Sequence, residues 1–264
     1  MKNKFIILGC GNSMGVPRID SFWGKCKKSN KKNIRTRCSA IIIKGSNSVL
    51  IDTSPDIRAQ LIKNKIQNIS SVIYSHEHAD QTNGLFELRP FTFSKNKNLK
   101  IQSRKIIDLY GSKKTMHLLK KRFDYCFKKS SIYPQIVKSN IAKKTFSLGR
   151  GDEKINIKTL TVKHGLVKST AYIFNEIAYI SDCSDLSIIK MKKLNNLKYL
   201  IIDCLKIDKN YAHFNLDECL YINKHLKPKK MILTNLHTDL DYDHLLSILP
   251  KNVIPAYDGL KISL

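Results

Sequence analysis

No apolar run in this 264-residue sequence approaches the roughly 20 residues that a membrane-spanning helix needs, which excludes an α-helical membrane protein. The chain has no CxxC pair. Its seven cysteines (Cys10, Cys26, Cys38, Cys126, Cys183, Cys204 and Cys219) follow no regular spacing. An odd number without an export signal argues against a disulfide framework and for reduced thiols. Cys26 and Cys38 flank a basic loop and are candidates for a small structural metal site, but no ligand pair sits close in sequence, which favours unpaired thiols. Acidic residues are scarce, 21 against 47 lysines and arginines, for a net charge of +26. Arginines are scarce too, with only eight in the chain. A basic surface fits a polyanionic partner such as nucleic acid or a phosphorylated metabolite. Diffuse lysine is weaker grounds for that than clustered arginine, and equally fits a solvated, lysine-biased surface.

The hydrophobic fraction of 42% is enough for a substantial core and excludes a disordered chain. There is no internal repeat, low-complexity linker or Gly/Pro-rich insertion, so a single domain spanning residues 1–264 is expected. Met1 to Cys10 faintly resembles a lipoprotein export signal, but its apolar stretch is too short for the roughly 7–15 residues of a signal core. It reads as a first strand, and the expected location is the cytoplasm. Nothing in the sequence specifies an oligomer; a homodimer is compatible with it.

Short Ile- and Val-rich runs predict strands at Lys4–Leu8, Ser39–Lys44, Val49–Asp52, Ser71–Tyr74, Lys105–Tyr110, Ile155–Val162, Ala171–Phe174 and Ile177–Ser181. Further runs follow at Leu200–Asp203, Met231–Thr234 and Val253–Ala256. Helical spacing covers Asp56–Lys63, with Ser54 as candidate cap and Pro55 at the first helical position, and also Thr115–Phe127, Leu216–Leu226 and Asp241–Ile248. Strands in the first half lie close together, as in hairpins, whereas those in the second half alternate with helices. This mixture predicts an α/β (α+β) chain of sheets packed on each other with helices outside.

The most informative segment is Val72-Ile73-Tyr74-Ser75-His76-Glu77-His78-Ala79-Asp80-Gln81. Here a buried strand ends, and residues i, i+2 and i+4 of an extended chain point the same way, so His76, His78 and Asp80 converge. Imidazole and carboxylate suit zinc, manganese or iron. The segment is not the HExxH of a zincin helix, because the second histidine would have to stand at Asp80. His164 and Asp182 each follow a predicted strand and supply a further imidazole and a bridging carboxylate for a two-metal site.

The order of these elements resembles the metallo-β-lactamase superfamily, with its HxHxDH signature, a distant His, an Asp and a last His. Within it, the chain is similar to the branch containing the phosphoribosyl cyclic phosphate phosphodiesterase. The matching stretches are Leu8–Pro17, Leu50–Asp56, the HxHAD segment with Gly84 and Leu88-Arg89-Pro90, and Leu233–His237. The resemblance implies a four-layer αββα sandwich with metals at one edge of the sheets. It implies that His76, His78 and His164 hold one divalent ion, that Asp80 and His237 hold a second, and that Asp182 bridges them. Zinc or manganese is expected in both. Asp52 resembles the aspartate that supports the ligand loop, and His213 a histidine that protonates the leaving group.

Two positions depart from the family pattern. Gln81 stands where the signature has His, and Asn235 stands directly after Thr234, where the last His is usual. Both changes fall on the second metal position, which leaves a single-metal enzyme open. The expected function is a metal-dependent hydrolase of a small (cyclic) phosphodiester, with Asp80 orienting the nucleophile and His213 as acid. The alternatives are an RNA-processing nuclease similar to the tRNA three-prime endonucleases and a non-catalytic metal or nucleic-acid binder. Arg18, Arg58 and Arg89 are candidate phosphate contacts or structural ion-pair partners. The segment Lys113–Lys129 reads either as a helical lid or as an amphipathic helix packed on the core, the latter favoured.

Overall fold

A computed structural model describes residues 3–93, 105–130 and 133–264. Two seven-stranded sheets lie face to face. The first contains β1 (Lys4–Gly9), β2 (Ser39–Lys44), β3 (Asn47–Ile51), β4 (Ser71–Ile73), β5 (Ile107–Gly111) and β6 (Val137–Ile141). The second contains β7 (Thr145–Leu148), β8 (Ile155–His164), β9 (Val167–Phe174), β10 (Ile177–Ile180), β11 (Tyr199–Asp203), β12 (Lys230–Thr234) and β13 (Val253–Pro255). The last strand, β14 (Leu260–Ser263), returns to the free edge of the first sheet beside β1. Each sheet starts antiparallel and turns parallel: β1, β2 and β3 pair antiparallel and β4 to β6 add in parallel, and β7 to β10 followed by β11 to β13 repeat this. The contrast expected between hairpins early and alternation late is therefore replaced by the same hairpin-then-crossover order in both halves.

The isoleucine runs form strands because they are covered on both faces. In β1, Phe5 and Ile7 point into the layer between the sheets with Ile42, Ile51, Phe174 and Tyr179. Ile6 and Leu8 point outward, under helices α1 (Ile57–Lys63) and α3 (Lys113–Arg122), where Leu61, Met116 and Leu119 meet them. On the second sheet, Leu200, Ile202 and Leu233 pack outward against Leu216 and Ile222 of α6 (Leu216–Leu226) and Leu245 of α7 (Tyr242–Ile248). Three apolar layers between four layers of structure make the expected αββα sandwich. No helix among the described residues is long and apolar enough to cross a membrane.

Helix α6 begins at a capping box, in which Asn215 accepts from Glu218 N–H and the Glu218 side chain accepts from Asn215 N–H. Asp241 caps α7 and does not itself belong to the helix. Ser54 is not the cap of α1: the helix starts at Ile57 after a turn, and the Ser54 hydroxyl bonds Asp56 N–H and Gln60 instead. The expected helix Thr115–Phe127 is two, α3 and α4 (Asp124–Phe127), broken at Phe123, whose φ of −120° leaves the helical region. Phe123 and Phe127 pack partly on the core, as the amphipathic reading expected. All seven cysteines are free and buried, and Cys26 and Cys38 spend their sulfurs on Arg35 and on the Gly11 carbonyl.

Candidate metal centre

The parallel strands deliver their carboxyl ends to one edge of the sandwich. β10, β11 and β12 run side by side, so Asp182, Asp203 and Asn235 emerge next to one another there. β8 ends at His164 on the same edge, and β4 leads directly to His76. At this edge lies a cavity of about 400 Å³ whose wall includes His78, Asp80, His164, Asp182, His213 and His237.

His76, His78 and His164 bring one ring nitrogen each within 4.8 Å of the others. The chain bends at Ser75 and Glu77, is extended at His78, with φ −66° and ψ 154°, and then turns into the short helix α2 (Ala79–Thr82). His76 and His78 converge across the bend at Glu77, whereas Asp80 reaches the cavity from the first helical turn. Gly84 lets this loop pack closely, because a Cβ there would lie 2.2 Å from the Ser54 carbonyl oxygen. Asp52, with φ 60° and no exposure, accepts Ser75 N–H at 2.7 Å and so anchors the residue before His76.

Hydrogen bonds set which nitrogens are free. His164 Nδ1 donates to the Ala212 carbonyl at 2.8 Å, which leaves Nε2 as the lone-pair nitrogen, 3.3 Å from His78 Nδ1. His76 Nδ1 meets the Ser75 hydroxyl at 3.0 Å, and its Nε2 is buried without a partner among the described residues. Asp182 Oδ2 is buried and equally without a partner. A buried polar atom left alone costs on the order of 1–3 kcal/mol. Two of them beside three convergent imidazoles fit a divalent cation, which would satisfy both at once.

Burial holds His76 neutral, lowering its pKa to about 4. Burial raises Asp182, but His76, His164 and His213 outweigh it and keep that carboxyl below its usual range. Asp80 is raised to about 6 by burial and by the neighbouring Asp182 charge. Burial opposes the charge on His213, yet Asp203, bonded to its Nδ1 at 2.7 Å, lifts it to about 9.

A second group joins His164, Asp182 and His213 at ligand spacing. Neither group contains Asp80 or His237, although both line the cavity. His237 Nδ1 instead faces Asp239 and the Thr238 hydroxyl, each at 3.2 Å. The inward position at the end of β12 belongs to Asn235, whose side-chain amide donates to the Ser181 carbonyl, to Asp182 and to Asp203. Gln81 is buried and donates to Asp80 at 3.2 Å. Sequence reasoning missed Asp203 and the inward placement of Asn235. Asp203 carried a usable signal, an aspartate closing an apolar strand as Asp52 and Asp182 do. Of the candidate phosphate contacts, Arg18 pairs with Asp20 at the surface, Arg58 is exposed on α1, and Arg89 lies against Phe86 and Tyr133.

The family model described as Beta-lactamase superfamily domain matches residues 47–235, well over half of the chain. Among solved structures, a diphosphatase of the PhnP family is 29% identical, with a TM-score of 0.87 over 100% of this chain and 98% of that one. Zn(2+)-bound PqqB from Methylobacterium extorquens is 14% identical with a TM-score of 0.77, over 99% of this chain and 100% of that one, a likeness of fold. A Porphyromonas gingivalis (strain ATCC BAA-308 / W83) octanoyltransferase is 26% identical over 262 residues, 98% of this chain. The chain spans about half of that relative, 51% of its length.

Proposed function

The chain belongs to the metallo-β-lactamase superfamily, and we propose that it is a metal-dependent hydrolase of a small phosphodiester. The observation that carries this reading is the convergence of His76, His78 and His164 around free nitrogens, next to the unpartnered Asp182 oxygen. The first cation would be held by those three histidines with Asp182. A second, weaker position would draw on Asp80, Asp182 and His237, because Gln81 and Asn235 stand where imidazoles would strengthen it. Divalent ions of the zinc or manganese kind supply Lewis acidity and lower the pKa of water when bound there.

This chain's own residues supply the rest. Asp80 orients the attacking water toward phosphorus. Asp203 fixes the His213 ring through Nδ1, leaving Nε2 to hand a proton to the departing ester oxygen as the P–O bond breaks. The 29% identity to a PhnP-family diphosphatase supports phosphorus chemistry, and the sequence resemblance supports a cyclic ester as the first compound to try. Octanoyl transfer is not carried over, since this chain matches only about half of the relative that bears that name. Seven free, buried cysteines support a reducing, cytoplasmic setting.

Elemental analysis of the purified protein, combined with hydrolysis of bis-para-nitrophenyl phosphate before and after chelation, tests the reading. Bound divalent metal with turnover that chelation removes and metal restores is expected. A fully metallated protein with no phosphodiester turnover would overturn it.

A further inference from the structure

A second cavity, of about 440 Å³, lies outside the metal centre and is lined by Phe86, Tyr125, Lys128, Ser130 and Tyr133. Its size falls within the roughly 300–1,000 Å³ typical of small-molecule sites. Phe86 comes from the 3₁₀ turn Leu85–Thr92 that follows α2, and Tyr125 from α4; their ring centroids are 5.9 Å apart at 52°. The Arg89 guanidinium lies 5.1 Å from the Tyr133 ring centre and 5.9 Å from that of Phe86.

Three features separate this cluster from ordinary packing. The rings are exposed by 37%, 50% and 45% for Phe86, Tyr125 and Tyr133, whereas Cys126 beside Tyr125 is fully buried in the core. Arg89 is only partly exposed, yet among the described residues no carboxylate forms an ion pair with it. A guanidinium stacked on rings and lacking a carboxylate presents its charge to an anion. Further cations, Lys120, Lys121 and Arg122, close the same helical layer at the end of α3. This layer is also fastened to the metal loop: Glu77, between His76 and His78, is held by Lys114 and Thr115 through its side chain and by Arg122 through its carbonyl.

Lys128 on the cavity wall pairs with Asp124 at 2.8 Å, which leaves Arg89 as the cation there without a carboxylate among the described residues. Exposed rings beside that guanidinium match one ligand chemistry, a planar base joined to a phosphate. We infer that the Phe86–Tyr125–Tyr133 cavity with Arg89 binds a nucleotide, free or as one unit of a single strand, by stacking the base and pairing its phosphate. The binding does not depend on the hydrolase reading; only the step of making the nucleotide part of the substrate rests on it.

The net charge of +26 attracts any polyanion, so the test must isolate the base. Fluorescence anisotropy at 150 mM NaCl with chelator present would compare a labelled eight-nucleotide oligoadenylate with an abasic phosphodiester strand of the same length. Base stacking on aromatic rings predicts roughly 5- to 150-fold tighter binding of oligoadenylate. F86A/Y133A should remove that preference, and R89Q, which leaves the rings in place, should weaken binding of both strands. Equal affinity for the two strands would overturn the inference and leave only charge attraction. A base preference that survives both variants would overturn it as well, since the base would then bind elsewhere. Competition by millimolar AMP would identify the free nucleotide as the ligand, and its failure a strand. Chelation keeps the two readings apart, because loss of phosphodiester turnover with retained base-dependent binding fails only the hydrolase.

Discussion

His213 Nδ1 donates to Asp203 at 2.7 Å, across a carboxylate that is fully buried at the end of β11. One ring nitrogen of His213 lies within 4.8 Å of ligand atoms of His164 and Asp182. An imidazole held this way serves a reaction whose leaving group needs a proton. His213→Ala should therefore lower kcat by about 10²- to 10⁴-fold for an alkyl phosphodiester. It should cost much less for a para-nitrophenyl ester, whose leaving group departs unprotonated. Equal losses on both substrates would assign His213 a different role.

The same pair has a signature in stability without metal. His213 is raised to about 9 in the folded chain from an ordinary value near 6.5. A raised imidazole contributes stability that is complete below about pH 6.5 and is lost as pH rises through about 9. Urea unfolding of the chelated protein should show that decline, and Asp203→Asn should flatten it. A slope in this window unchanged by Asp203→Asn would place its origin in other groups.

Metal should stabilise the fold as well as activate it. His76 Nε2 and Asp182 Oδ2 are buried without partners among the described residues, so a cation that binds the folded chain satisfies both. At about 100 times its Kd, zinc should add about 2.7 kcal/mol and raise Tm by several degrees. His76→Ala and His164→Ala should abolish most of the zinc-induced shift. Calorimetry with and without zinc measures it directly.

Asn235 holds two buried carboxylates together by donating to Asp182 and Asp203. Asn235→Ala leaves both without that donor and should destabilise the chelated protein by about 1–3 kcal/mol. Asn235→His should instead raise the affinity for a second equivalent of metal, read as two resolved steps in a zinc titration. A single unchanged step would mean that the end of β12 does not form part of a cation position.

Asp241 ties three segments. It caps α7 through Asp243 N–H and His244 N–H, and it accepts from Lys27 N–H and from Asn33. Burial opposes its charge, but these donors win and hold the carboxyl below its usual range. Its contribution is present above the unfolded pKa of about 3.9 and disappears as pH falls through the lower folded value. Asp241→Ala should cost about 1–2 kcal/mol at neutral pH by urea unfolding, more than a solvent-exposed cap whose only partners are its own helix amides.

The strands that periodicity missed share one property. β6, β7 and β14 are all edge strands, and each shows exposed or half-buried side chains on at least alternate positions. An edge covered on fewer sides tolerates Lys, Ser and Asn, so no continuous apolar run marks it. Most interior strands were legible because the core covers both faces and favours apolar residues, whereas β8, exposed on alternate positions, was legible by its apolar residues at every second position. The break at Phe123 was not legible, because residues on either side of it keep helical spacing.

Within the site, His76 and His78 were legible together because they stand two residues apart just after a buried strand, and they converge even though the chain bends at Glu77 between them. Asp80 was legible as a neighbour of that pair but not by its route, since the chain becomes helical after His78.

The sequence by itself determined the buried strands, the helices α6 and α7, and the strand-end histidines, because each depends on the chemistry and spacing of adjacent residues. Only the tertiary structure decided that Asn235 rather than His237 points at Asp182 and Asp203, and that Asp203 accepts the hydrogen bond from His213 Nδ1. Those relationships join residues on different strands and loops. They depend on sheet register and on which way a turn faces, and no local spacing carries that information.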